Sequence, residues 1–199
     1  MAQILLTRHG ETAWNALGKL QGHTDIALNE TGRGQARALA ATLGPSVAAV
    51  VTSDLSRARE TGAIIAAALG LPAPAVDPEL RERQYGVFEG LTRAECETQH
   101  PDAWRDWVAQ IGAPPGGELR GDAAARLGRA LTRILATAAH PGGDIVVVSH
   151  GGVMRLWLID VLGQTIPVIG NAATYLVGHD GARFHAELRD QRRPSGGGL

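Results

Sequence analysis

Two histidines stand in the same local pattern. Ile4-Leu5-Leu6 runs through Thr7 and Arg8 into His9-Gly10, and Ile145-Val146-Val147-Val148 runs through Ser149 into His150-Gly151-Gly152. Each aliphatic run has the length and residue types of a central strand covered on both faces. Each histidine therefore falls at the carboxyl end of a strand, where open α/β sheets place their ligands. One such histidine reads as an ordinary loop residue; two in the same context, with Arg8 beside the first, read as a site. Arg57 follows a third such run, Ala48-Ala49-Val50-Val51, and by itself reads as a solvated arginine in the first turn of a helix. If Arg57, which again follows a strand end, joins Arg8, His9 and His150, the four suit a tetrahedral dianion. Catalytic zinc normally wants three protein ligands, and two guanidiniums beside it would repel it. Arginine forks match phosphate oxygens, and N–H groups after His150, at a helix N-terminus, would add donors.

The elements that must position these residues follow from periodicity and capping. Residues 11–28 are too polar and glycine-rich for a regular pattern and read as a loop. Asn29 caps a helix with Ala36, Leu39, Ala40 and Leu43 on its apolar face, ended by Gly44-Pro45. Ser53 or Asp54 caps the next, along Leu55, Ala58, Gly62, Ile65 and Leu69, and residues 72–78 are extended. Residues 92–111 read as one helix with Trp104, Trp107, Val108 and Ile111 on one face, closed by Pro114-Pro115-Gly116-Gly117. Residues 84–120 then form a cap beside the pocket, its tryptophans packing it onto the sheet rather than touching substrate. Asp122 caps a helix with Leu127, Leu131, Ile134, Leu135 and Ala138 inward, and a further helix spans 153–162. Residues 173–178 and 183–188 read as a terminal hairpin. The expected fold is α/β: a three-layer α/β/α sandwich with a mostly parallel central sheet, an antiparallel edge strand and a small helical cap.

At 199 residues and 44% hydrophobic content, one domain over residues 1–189 suffices, with a polar, glycine-rich tail at 190–199 expected to be disordered. A net charge of −1 and no run of Lys or Arg argue against nucleic acid or an anionic membrane as partner. No apolar stretch is long enough to span a bilayer and no leader pattern is present, so a cytoplasmic location is expected, as a monomer or homodimer. Cys96, the one cysteine, lies between glutamates that disfavour a thiolate and reads as incidental.

Four blocks carry a resemblance: Arg8-His9-Gly10-Glu11-Thr12 with Trp14-Asn15; Ser53-Asp54-Leu55-Ser56-Arg57-Ala58; Leu80-Arg81-Glu82-Arg83 with Tyr85-Gly86 and Glu89-Gly90; and Ser149-His150-Gly151. In that order, and over nearly the whole chain, they resemble the histidine phosphatase superfamily, also called phosphoglycerate-mutase-like. The resemblance implies that Arg57 binds the phosphoryl group and that Glu82, otherwise readable as an arginine's ion-pair partner, is the proton donor. It also implies that Asn15, Gln21, Gly22 and Gly151 help bind substrate, although an asparagine and a glycine in a loop equally well form turns. The family often places serine after the Gly-Gly-Glu of the cap loop, where this chain has Leu119, which weakens any role for Glu118 or for that helix cap.

With phosphate as ligand, neighbouring guanidiniums keep His9 neutral and nucleophilic. Attack on phosphorus gives a phosphohistidine while Arg8, Arg57 and His150 hold the equatorial oxygens. Glu82 protonates the leaving oxygen and then activates water. The expected activity is metal-independent, cofactor-free hydrolysis of a small phosphorylated metabolite. A cofactor-dependent phosphoglycerate mutase is the nearest alternative, although mutases usually have a longer segment between acid and second histidine. A catalytically silent phospho-ligand binding protein is the other. Arg81, Arg83 and Arg93 read as solvated charges, or else as partners for a second acidic group.

Overall fold

The structure, a computed structural model, describes residues 3–137 and 142–189. The tail expected to be disordered and Ala138 lie outside the described residues. Six strands form one sheet: β1 (Ile4–Arg8), β2 (Val47–Thr52), β3 (Ala75–Val76), β4 (Asp144–Ser149), β5 (Thr174–His179) and β6 (Phe184–Leu188), in the order β3-β2-β4-β1-β5-β6. The first four pair in parallel; β5 pairs antiparallel with β1 and β6 antiparallel with β5, so the terminal hairpin supplies the expected antiparallel edge of a mostly parallel sheet. β1 and β4 are neighbours with Arg8 opposite Ser149, and His9 and His150 therefore leave the sheet side by side.

Strand alternation explains the layers. Ile4, Leu6, Ile145 and Val147 point to one face, where α6 (Arg120–Ala136) and α7 (Gly151–Leu162) cover them. Leu5, Val50, Val146 and Val148 point to the other, against α2 (Glu30–Thr42) and α3 (Ser56–Ala68). Leu6, buried completely, contributes about 1.5–3 kcal/mol by leaving water. The loop after His9 crosses α2 so closely that a Cβ on Gly10 would lie 2.4 Å from the Gly32 carbonyl oxygen, and one on Gly32 would lie 2.2 Å from that of Glu11. Two facing glycines thus seat the histidine loop.

Several elements differ from the sequence expectation for identifiable reasons. Inside the expected loop lies a short helix, α1 (Ala13–Ala16), nucleated by a capping box in which Thr12 and Asn15 each bond the other's backbone N–H. The expected helix over 92–111 is two, α4 (Arg93–Gln99) and α5 (Pro101–Val108), because Pro101 cannot donate and forces His100 out of helical backbone. Past the break Val108 and Ile111 are exposed rather than on a buried face. Neither Ser53 nor Asp54 caps α3; Leu55 occupies that position and Asp25 accepts the Ser56 N–H at 2.8 Å from another loop. Asp122 lies within the first turn of α6, whose cap position is Leu119 with no side-chain bond. The extended stretch 72–78 supplies β3, a two-residue parallel edge. In the cap, Trp107 stacks on Phe88 and Tyr85 and Trp104 meets Phe88 edge-on, so the tryptophans build a separate small core instead of packing on the sheet. Among the described residues no helix is long and apolar enough to cross a membrane.

Candidate active site

Arg8, His9, Arg57 and Glu82 meet in a cleft of about 290 Å³ at the carboxyl ends of β1, β2 and β4. His9 places Nδ1 2.6 Å from the Gly10 carbonyl oxygen, so Nδ1 carries the proton and Nε2 keeps its lone pair. Burial, reinforced by the charges of Arg57 and Arg8, holds the His9 pKa well below the usual imidazole value. His150 is depressed likewise, by burial first and then by Arg57, His9 and Arg8. The two rings stand 5.1 Å apart, centroid to centroid, edge to face. Both imidazoles are neutral near pH 7.

Arg57 is completely buried and has no carboxylate among its hydrogen-bond partners. Its Nε donates to His150 Nδ1 at 3.2 Å, Nη1 to the Thr24 carbonyl at 2.9 Å and Nη2 to the Gly22 carbonyl at 2.8 Å. Because Nδ1 of His150 accepts, its Nε2 bears the proton, and that atom is buried without a partner; so is Nε of Arg8, whose Nη1 donates to the Ile169 carbonyl. Two buried donors therefore go unanswered beside a deprotonated imidazole nitrogen. An unmet buried donor costs about 1–3 kcal/mol. An anion's oxygens are the complement that would recover it. His150 itself is not among the residues lining the cleft; it lies against His9 and Arg57.

Glu82 is buried and accepts three backbone N–H bonds: Oε1 from Arg83 at 2.8 Å and Val153 at 2.7 Å, Oε2 from Gly152 at 2.9 Å. The N–H groups of Gly152 and Val153, expected to face phosphate, thus point at Glu82 instead, and the first turn of α7 anchors the carboxylate. Gly152 must lack a side chain, because a Cβ there would lie 2.1 Å from the Tyr85 hydroxyl and 2.7 Å from Glu82 Oε1. At Gly151, which lines the cleft, a Cβ would crowd Arg8 at 3.0 Å.

Asn15 and Gln21 also line the cleft. The Asn15 side-chain oxygen accepts from the Thr12 N–H and from Asn171 Nδ2, both at 3.2 Å, which fixes the orientation of its amide. Gly22 does not line the cleft. Its φ of 55° and its approach to Glu89, whose Oε1 would lie 2.0 Å from a Cβ, make it the turn that presents a carbonyl to Arg57. Glu89 ties this turn to the cap by accepting from the N–H groups of His23, Thr24 and Tyr85.

Of the three arginines weighed for a second acidic group, Arg81 pairs with Asp54, and Arg83 donates to the Glu118 carbonyl with its guanidinium 5.3 Å over Trp107. Only Arg93 reaches the cleft, where Lys19 and Arg155 join it. Trp107, expected to pack away from substrate, is part of the wall, with Tyr85, Val168 and Ile169. Tyr85 lies three residues past Glu82 in the same charged and aromatic stretch, and Arg155 lies one turn beyond Gly151-Gly152 on α7. Val168 and Ile169 had no local signal. Among the described residues no group of three or more His, Cys, Asp or Glu side chains is arranged to hold a metal ion.

Residues 4–190 match the family described as histidine phosphatase superfamily (branch 1). Phosphoglycerate mutase-like protein 4 of Arabidopsis thaliana is 42% identical over 159 residues, which cover 77% of this chain and 68% of that protein. The metal-independent phosphoserine phosphatase of the same plant is 39% identical over 160 residues, 78% of this chain and 66% of that one. The chain thus spans about two thirds of the length of these two relatives. Among solved structures, mycobacterial glucosyl-3-phosphoglycerate phosphatase complexed with VO3 superposes with a TM-score of 0.82 at 31% identity, over 94% of this chain and 98% of that one. With the family pattern running from the first strand to the last and its fold reproduced, the chain belongs to the histidine phosphatase superfamily.

Proposed function

We propose that the chain hydrolyses a small phosphomonoester without a metal ion, through a phosphohistidine at His9. The observation that carries this reading is the pair of unanswered buried donors, Arg8 Nε and His150 Nε2, beside an imidazole whose Nε2 lone pair is available. A phosphoryl group seated on Arg8, Arg57 and His150 presents phosphorus to His9. Nε2 forms the new N–P bond as the ester P–O bond breaks, and Glu82 delivers a proton to the departing oxygen. Water then attacks phosphorus, its O–P bond forming as the N–P bond breaks and its proton passing to Glu82, which releases phosphate and returns both side chains to their starting states. Buried neutral imidazoles and fixed guanidiniums need little rearrangement as charge moves. Asn15 and Gln21 help hold the phosphoryl group, and Gly151 leaves room for Arg8.

Lys19, Arg93 and Arg155 favour a substrate with a second anionic group. None of the three has an ion-pair partner among the described residues, and Glu82 is the one acid in the cleft wall. Phosphoserine and phosphoglycerate derivatives, named for the relatives above, meet that requirement and belong in the first panel. The test is phosphate release from p-nitrophenyl phosphate and a panel of phosphomonoesters, with chelator present, by the wild type and His9→Ala. Release by the wild type and none by the variant supports the reading. No release from any ester would sink it and turn attention to mutase activity.

A further inference from the structure

Glu82 sits in a stretch that no ladder holds. After the 3-10 turn Pro78–Leu80 the chain runs through residues 81–85 without helix or strand, and the carbonyl groups of Glu79, Arg81 and Glu82 are bonded by a side chain. Arg126, on α6, collects them. Its Nη1 donates to the carbonyl oxygens of Glu79 at 2.6 Å and Arg81 at 3.0 Å, and its Nη2 to that of Glu82 at 3.2 Å. The remaining N–H groups grip Glu118 side-on, Nε to Oε1 at 3.0 Å and Nη2 to Oε2 at 2.9 Å. All five donors of the guanidinium are then in use. Both side chains are largely sheltered, Arg126 at 15% and Glu118 at 19% exposure, which is where a bidentate pair holds its geometry.

Glu118 links this clamp to the cap. Its N–H donates to the Gln84 carbonyl at 3.0 Å, and its own carbonyl accepts from Arg83 Nε at 2.9 Å. His23 adds a second contact to the Glu82 carbonyl at 2.8 Å. Arg126 does not line the cleft and meets no substrate. The geometry points to Arg126, oriented by Glu118, as a positioning residue for the leaving-group acid, fixing the backbone from which the Glu82 carboxyl reaches the reacting oxygen. This rests on the reading of Glu82 as proton donor.

Lysine cannot take this place, because an ammonium offers three donors from one point, whereas the five contacts fan out in the guanidinium plane. The consequence is selective. An alkoxide leaving from phosphorus needs a proton as the P–O bond breaks; p-nitrophenolate leaves without one. A displaced Glu82 therefore handicaps alkyl esters and spares the activated aryl ester, whereas a general loss of structure slows both alike.

The test compares kcat/KM, which reports the step in which the leaving group departs, for an alkyl phosphate and for p-nitrophenyl phosphate. Glu82→Gln sets the scale, with an expected loss of roughly a hundredfold or more on the alkyl ester and far less on the aryl one. Misplacement by about 1 Å can cost about a hundredfold, so Arg126→Lys is expected to lose about ten- to a hundredfold on the alkyl ester and less than about threefold on p-nitrophenyl phosphate. Glu118→Gln, which keeps the side-chain shape, should show the same selectivity in weaker form, and it serves if Arg126→Lys does not fold. Equal losses on both esters in the Arg126 and Glu118 variants, with selective loss in Glu82→Gln, would overturn the positioning role alone. Equal losses in Glu82→Gln would overturn the acid assignment beneath it.

Discussion

The two buried imidazoles set a pH dependence of stability that can be calculated and isolated. In the unfolded chain His9 and His150 titrate near the ordinary value of about 6.5. In the folded chain both are held well below their ordinary value by burial and by the neighbouring guanidiniums. The native state therefore refuses protons that the unfolded state binds, and their contribution is complete above about pH 6.5 and is lost as the pH falls toward the folded values. At about pH 5.5 each histidine costs about 1.4 kcal/mol relative to pH 8, and the pair about 3 kcal/mol. Carboxylates do not confuse this window. Asp54, held low by Arg81, titrates in the unfolded chain near about 3.9, and its share of the pH dependence falls at more acid pH. Urea unfolding at pH 8 and pH 5.5, in buffers free of phosphate, measures the difference. Each variant is referred to its own value at pH 8, so the loss of the Arg57 contact in a His150 variant does not enter. His9→Gln should remove about half of the wild-type difference and His9→Gln with His150→Gln nearly all of it. An unchanged pH dependence in the double variant would refute neutral, buried imidazoles at this site.

Three further outcomes follow from the same contacts. Arg57→Ala should lower kcat about a hundredfold, about 3 kcal/mol, because it removes a preorganised donor and leaves the orientation of His150 unfixed; steady-state kinetics on p-nitrophenyl phosphate read this directly. Inorganic phosphate at about 100 times its Kd should stabilise the wild type by about 2.7 kcal/mol in thermal unfolding, and this gain should vanish in Arg8→Ala, which lacks one of the two unanswered donors. Gly152→Ala should cost about 1–3 kcal/mol of stability and most of the activity, since its methyl group enters the space of the Tyr85 hydroxyl and the Glu82 carboxylate; retention of full activity would mean that this wall yields.

What the sequence disclosed was set by range. The strands ending in His9 and His150 announce themselves through continuous aliphatic runs, whereas Arg57 and Glu82 read alone as a solvated cation and an ion-pair partner, and only the blocks that resemble the family single them out. Pairing of Arg8 with Ser149 then makes the histidines meet, as two strand ends in one parallel sheet must if the strands are neighbours. Local signals that were present but weak went unread. Thr12 and Asn15 form a capping box within an otherwise polar loop, and Pro101 breaks a helix whose apolar spacing looked continuous. Long-range choices had no local trace. Nothing near Gly152 says that its N–H will bind Glu82, 70 residues away in sequence, and nothing in α6 says that Arg126 will collect the carbonyl groups of residues 79, 81 and 82. Val168 and Ile169 enter the cleft wall only because the segment before β5 returns past β1, where the Ala172 N–H donates to the Arg8 carbonyl at 3.1 Å.

The central claim is that His9 carries the phosphoryl group between ester and water. Its most direct test is to mix the protein with a labelled phosphomonoester, quench in alkali within the first turnovers, and locate the label by peptide mass spectrometry. An alkali-stable, acid-labile phosphoryl group is expected on the peptide bearing His9 and none in His9→Ala. Rapid phosphate release with the label on any other residue would contradict it.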